Sequence, residues 1–110
     1  MIYTLEELRE KITPIAEKYR IPAVYVFGSY ARGEATEDSD VDVLFERRGS
    51  DVRGWIIGGL YNDLNEALGK EISLLTAESL EEPDQRLPRF TSNIMKDRWP
   101  IYEKRGSTTN

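Results

Sequence analysis

The sequence predicts a small α/β domain built on a mixed β-sheet. Three observations carry this. The chain has 110 residues, about one domain's worth. Its apolar segments switch between helical and strand periodicity in the order helix, strand, loop, strand, helix, strand, helix. The link between the first two strands is short enough for an antiparallel pair, whereas a helix separates the second from the third, as a parallel crossover requires. The domain is expected to occupy residues 1–105, with 106–110 as a disordered polar tail.

The first helix starts at a capping box, with Thr4 as N-cap and Glu7 three residues on. Leu5, Leu8, Ile12, Ile15, Ala16 and Tyr19 recur at helical spacing. Pro14 either kinks this helix or opens a second short one capped by Thr13. Ala23 to Phe27 is a run of strand formers closed by Gly28. Residues 28–39 read as loop with at most a helical turn. The second strand, Asp40 to Glu46, places Asp40, Asp42 and Leu44 on one face and Val41, Val43 and Phe45 on the other. A helix over 51–68 carries Trp55, Ile56, Leu60, Leu64, Ala67 and Leu68 on one side, is weakened at Gly58-Gly59, and stops at Gly69. Lys70 to Leu75 is the third strand and Thr76 to Leu80 a short capped turn. Residues 89–98 suggest a last helix, and Pro100 to Glu103 a closing extended piece.

Composition removes whole classes of chemistry. There is no Cys and no His, so thiolate sites, Cys nucleophiles, Ser-His-Asp catalysis and the commonest metal ligand are all out. Any catalysis must use carboxylates, hydroxyls, Lys, Arg, Tyr or a cation held by oxygen. With 15 basic against 20 acidic residues the net charge is -5, which argues against direct nucleic-acid binding. The opening MIYTLEEL has no basic n-region, and no apolar run nears the roughly 20 residues of a membrane span. A cytoplasmic chain without membrane association is expected.

One constellation can carry chemistry. Gly28 and Ser29 follow the first strand, and Asp40 and Asp42 lie two apart on the second, so both carboxylates project from one face. A same-face carboxylate pair suits a hard cation such as Mg²⁺, whose remaining ligands are water and substrate phosphates. Gly28 lets backbone approach a phosphate, and the Ser29 hydroxyl can donate to it. Oxygen ligands, a cation and a phosphate cradle together point to phosphoryl or nucleotidyl transfer. A lone D-x-D is usually solvated surface and a lone Gly-Ser usually a turn. The combination, with ten residues between, arises by chance in roughly one chain of this length per thousand.

The stretch GSYARGEATEDSDVDV resembles the signature of the DNA polymerase β-like nucleotidyltransferase superfamily. More narrowly it resembles the minimal nucleotidyltransferase (MNT) family, with its G-S-x-A-R-G and S-D-x-D motifs. The resemblance implies a polymerase β-like core of mixed sheet and helices. It implies transfer of a nucleoside monophosphate from a nucleoside triphosphate with Mg²⁺. Asp40 and Asp42 would be the metal-binding, catalytic carboxylates, and Gly28, Ser29, Arg32 and Ser39 would serve the nucleotide. MNT proteins are often antitoxins paired with a HEPN-domain ribonuclease, and some add AMP to a toxin Tyr hydroxyl. The expected activity is therefore Mg²⁺-dependent transfer of AMP from ATP to a HEPN-type toxin, in a homo- or hetero-oligomer.

The family pattern also has a carboxylate on the third strand, completing the metal site or deprotonating the acceptor. Here Ser73 stands in that place. Glu71, two residues earlier and about 6.6 Å along the strand, is the candidate third catalytic carboxylate. Two rival readings follow: the same fold neutralising a toxin by occlusion alone, or a small-molecule enzyme of aminoglycoside type, disfavoured by the short chain. Among neighbouring residues, Arg32 divides between phosphate or a partner and the acids Glu34 or Asp38, and Tyr30 is expected to pack over the loop. Arg47-Arg48 are expected to be a solvated turn and Trp55, Ile56, Ile57 and Leu60 core. Trp99 divides between core and a partner anchor, and Lys70 is a minor candidate for neutralising triphosphate.

Overall fold

The structure is a computed structural model that describes residues 2–80, 94 and 96–103. Helix α1 spans Leu5–Lys18, followed by strand β1 (Ala23–Phe27), a short helix α2 (Gly28–Arg32) and strand β2 (Val41–Phe45). Helix α3 (Ile56–Leu68), strand β3 (Ile72–Thr76), a 3-10 turn (Glu78–Leu80) and strand β4 (Trp99–Glu103) complete the order. The four strands form one sheet in the order β3-β2-β1-β4. β1 pairs antiparallel with β2 and β4, and β2 pairs parallel with β3, so the sheet is mixed.

α1 begins at the expected capping box: Glu7 N–H donates to Thr4 Oγ1 at 3.0 Å, and Thr4 N–H to Glu7 Oε1 at 2.9 Å. It stays a single helix through Pro14, whose exposed ring removes one backbone donor without ending it. Leu8, Ile12 and Ala16 of α1 and Leu60, Leu64 and Leu68 of α3 pack on one sheet face, against Val24, Val26, Val41, Val43 and Phe45. The other face holds Ala23, Tyr25, Phe27 and Leu44, covered by Ile94. β1 is thus buried along its whole length, which explains why its sequence is a continuous apolar run rather than an alternation.

α3 is shorter than the sequence suggests. It starts at Ile56, and the preceding residues form turns. Trp55 is 88% exposed and Ile57 40%, so of the apolar group expected there only Leu60 is fully core. Val52, from the loop, is buried at that end instead. β2 and β3 each start slightly later than expected, at Val41 and Ile72. Of the expected helix over 89–98, residues 94, 96 and 97 are helical and Arg98 is not; residues 89–93 and 95, and the tail at 106–110, lie outside the described residues. Arg47 and Arg48 are exposed, but their backbone N–H groups both donate to the Glu78 carboxylate, at 3.0 and 2.8 Å, which ties the turn after β2 to the one after β3. Among the described residues no helix is long and apolar enough to cross a membrane.

One polar cluster joins the two long helices. Asp63 Oδ2 on α3 accepts from the Tyr19 hydroxyl at 2.7 Å and from Lys18 Nζ at 2.9 Å. The Tyr19 and Lys18 hydrogen bonds hold the Asp63 carboxyl below its ordinary pKa. A depressed carboxylate stabilises the fold above its ordinary value, and this stability is lost as pH falls through the lowered one. Tyr19→Phe should cost about 0.5–1 kcal/mol at pH 7, the low end reflecting solvent exposure. In urea titrations the gap to wild type should close as pH drops below 3.8, the ordinary Asp value. A gap independent of pH would mean the hydroxyl acts through packing rather than through Asp63.

Candidate active site

The sheet pairing assembles the site. In the antiparallel register Phe27 lies opposite Asp42, and in the parallel register Asp42 lies opposite Ser73. Asp42 therefore sits between the end of β1 and the start of β3, on the face that carries Leu44 rather than the helix-covered one. Asp40 precedes β2 in exposed loop.

At the end of β1 the chain turns at once into α2. Gly28 makes this turn with φ +72°, in the left-handed region. A Cβ at Gly28 would overlap Asp42 Oδ2 and lie 3.1 Å from Asp42 Cγ. The carboxylate thus occupies the space a side chain would need. Ser29 follows in the first turn of α2, and its carbonyl accepts from Glu34 N–H at 2.9 Å. Gly33 closes α2 in the left-handed conformation. Tyr30, expected to pack over the loop, lies on the buried side of α2, is 4% exposed and belongs to the main core; its hydroxyl has no partner among the described residues.

Burial, first, and the nearby Asp40 charge push the Asp42 carboxyl above its ordinary pKa, while a hydrogen bond with Ser73 and the Arg32 charge oppose the shift. Asp40, Ser73 and Arg32 are thus each close enough to act on Asp42. Ser39 lies on the approach to this site, but its hydroxyl is engaged by the loop: it accepts from Thr36 N–H at 2.8 Å. Lys70 Nζ donates to Glu37 O at 2.9 Å, pinning that loop rather than reaching Asp42. Arg32 pairs with Glu34, Nε to Oε1 at 3.1 Å, and with Asp97, Nη1 to Oδ2 at 3.5 Å. Asp97 carries no local sequence signal; it reaches Arg32 from a turn 65 residues away.

Glu71 is placed apart. Its carbonyl accepts from Val41 N–H at 3.0 Å, but its exposed carboxylate meets the Tyr61 hydroxyl of α3 at 3.5 Å. That helix covers the opposite sheet face. Among the described residues, no group of three or more Asp, Glu, His or Cys could hold an ion together. The oxygen groups gathered here are the Asp42 and Asp40 carboxylates and the Ser73 hydroxyl, all hard ligands. A Mg²⁺ ion, which takes one or two carboxylates and completes its shell with water and phosphate, fits that set.

The class is that of the nucleotidyltransferases: residues 5–101 match the nucleotidyltransferase domain family, and the chain belongs to it as an enzyme of that class. Its nearer kin are small. A solved structure described as a minimal nucleotidyltransferase is 30% identical with a TM-score of 0.63, covering 89% of this chain and 96% of that one. A Methanocaldococcus jannaschii protein bearing the name protein adenylyltransferase is 39% identical over 77 residues, 69% of this chain and 81% of its own. The fold also matches a chain from the complex of a tri-AMPylated Shewanella oneidensis HEPN toxin with an MNT antitoxin. That match has 16% identity and a TM-score of 0.61, over 94% of this chain and 76% of that one.

Two outcomes follow from this geometry. Asp42→Asn keeps the side-chain shape while removing a buried charge and its repulsion from Asp40. Because the folded-state pKa is raised, the ionised carboxylate weakens the fold at neutral pH, and the effect vanishes once both states are protonated. The variant should therefore melt above wild type at pH 7, with the difference shrinking toward pH 3.8, the ordinary value. Gly28→Ala should cost about 1–3 kcal/mol through left-handed strain alone, and more through the collision with Asp42. Chemical denaturation should show a smaller loss for Gly28→Ala in an Asp42→Ala background; an equal loss would place the carboxylate elsewhere.

Proposed function

We propose that this chain is an antitoxin that transfers AMP from ATP to a HEPN-type toxin with Mg²⁺. The observation that carries the reading is the Asp42 carboxylate held against Gly28, with Asp40 and Ser73 close enough to act on it. The protein acceptor and the toxin partner are drawn from the relatives' names. Asp40 and Asp42 would hold the ion, which when bound neutralises triphosphate charge and polarises the α-phosphate. Gly28 offers backbone without a side chain, and the Ser29 hydroxyl offers a donor to the phosphates. An acceptor oxygen attacks the α-phosphorus, the bond to the bridging oxygen breaks, and pyrophosphate leaves. The acceptor's hydroxyl proton must pass to a base.

That base is where a second reading gains support. Ser73 stands opposite Asp42 where the family pattern has a carboxylate, and a Ser hydroxyl is no base near pH 7. A slow or inactive enzyme that neutralises its toxin by binding would keep this fold and this site. Purified chain incubated with its neighbouring-gene toxin, ATP and Mg²⁺ separates the two by the mass of the toxin. AMP addition supports transfer; stoichiometric inhibition with no mass change, even for Ser73→Asp, leaves binding alone.

Position 73 also yields a quantitative expectation. If the missing carboxylate limits the rate, Ser73→Asp should accelerate transfer by up to about 10²–10⁴, the usual contribution of a general base. The same substitution should lower the melting temperature at pH 7, since it puts a carboxylate directly beside Asp42. Glu71→Gln should leave the rate within a few-fold of wild type, because the Glu71 carboxylate meets Tyr61 instead of Asp42. Loss of activity in Glu71→Gln would show that it reaches the acceptor in the working complex.

A further inference from the structure

The turn ahead of β4 is fastened to the sheet face that presents Asp42. Ile94 is buried among Tyr25, Phe27 and Leu44. Arg98 N–H donates to Ile94 O at 3.0 Å, closing one helical turn. The Arg98 guanidinium lies over the Tyr25 ring, 4.5 Å from its centroid, a cation–π distance. Asp97 is therefore delivered to the site's rim by a buried side chain before it and a stacked one after it. Its carboxylate, less exposed than its partner's side chain (29% against 45%), meets Arg32.

We propose that Asp97 is a positioning residue, which together with Glu34 fixes the Arg32 guanidinium at the rim of the site to receive the triphosphate of a nucleotide. Arg32 alone stands at the end of a five-residue helix on a long, rotamer-rich side chain. Glu34, next but one along the chain, takes its Nε, and Asp97, far along the sequence, takes its Nη1. A guanidinium has five N–H donors in a rigid fork, so these two contacts orient it and leave donors for a third, anionic partner. Asp97 does not touch the nucleotide in this scheme; it acts through Arg32.

The inference rests on the nucleotide-binding reading of the site, and a binding cycle tells the two apart. Titration calorimetry with ATP and Mg²⁺ would compare wild type, Arg32→Ala, Asp97→Asn and the double variant, with melting temperatures confirming that each is folded. Asp97→Asn should weaken ATP binding about two- to fivefold, the range an ion pair at a solvent-exposed rim supports. In the Arg32→Ala background it should change nothing, because the pair no longer exists, and Asp97→Glu should restore most of the affinity. An equal loss with and without Arg32, or tighter binding in Asp97→Asn, would overturn the positioning role while leaving nucleotide binding intact. Wild type that binds no ATP would reject the nucleotide reading itself, and this inference with it.

Discussion

The structure depends on the absence of a side chain at position 28. β1 and β2 pair with Phe27 opposite Asp42, and the Asp42 carboxylate then fills the volume that a Cβ on the next residue would take. The same residue must turn the chain out of the strand with a positive φ. Glycine meets both demands, and no other residue meets either without strain. Strand register, the tight entry to α2 and the position of the carboxylate are therefore a single constraint. The ten residues between Ser29 and Asp40 are the length this geometry needs: the remaining turn of α2, its left-handed exit at Gly33, and a loop that Thr36, Ser39 and Lys70 tie down before β2 begins.

Electrostatics makes this arrangement costly for the fold. Asp42 is partly buried with a second carboxylate nearby, and both influences push its pKa upward. Among the described residues the cation that acts on it is Arg32, which is shared with Glu34 and Asp97. Elsewhere the chain places its charges cheaply: Lys18, Tyr19 and Asp63 satisfy one another at the surface, and Glu78 accepts from two backbone N–H groups. A carboxylate pushed upward by burial and a like charge sits where a bound cation would relieve it, as expected where function rather than stability sets the residue.

What the sequence made legible was local. The capping box, the buried β1 run, the alternation of β2 and the Gly-Ser and Asp-x-Asp placements all follow from neighbours within a few residues, and the antiparallel–parallel sheet follows from connection lengths. What it hid depends on distant packing. Trp55 lies just ahead of the helical periodicity that Leu60, Leu64 and Leu68 define, but whether the sheet extends beneath it is a tertiary fact, and Val52 takes the buried place instead. Glu71 shares a period-two phase with Ser73, yet it lies just before β3, where its carboxylate is free to turn to Tyr61. Asp97 could not be assigned to Arg32 from sequence, because the contact depends on how Ile94 and Arg98 seat their turn on the sheet.

Ser73 is best understood through its neighbour. Parallel pairing sets it directly opposite Asp42, so a carboxylate there would add a second repulsion to a group already pushed upward by burial and Asp40. The hydroxyl does the reverse: its hydrogen bond favours the ionised form of Asp42. Exchanging Asp for Ser at this position thus eases the charge on the carboxylate that stays, while removing a base and lowering the number of negative ligands a cation could use. The carboxylate pair and the Gly28 approach are unaffected by that exchange. The residue that departs from the family pattern thus favours the ionised state of Asp42, where a carboxylate would oppose it.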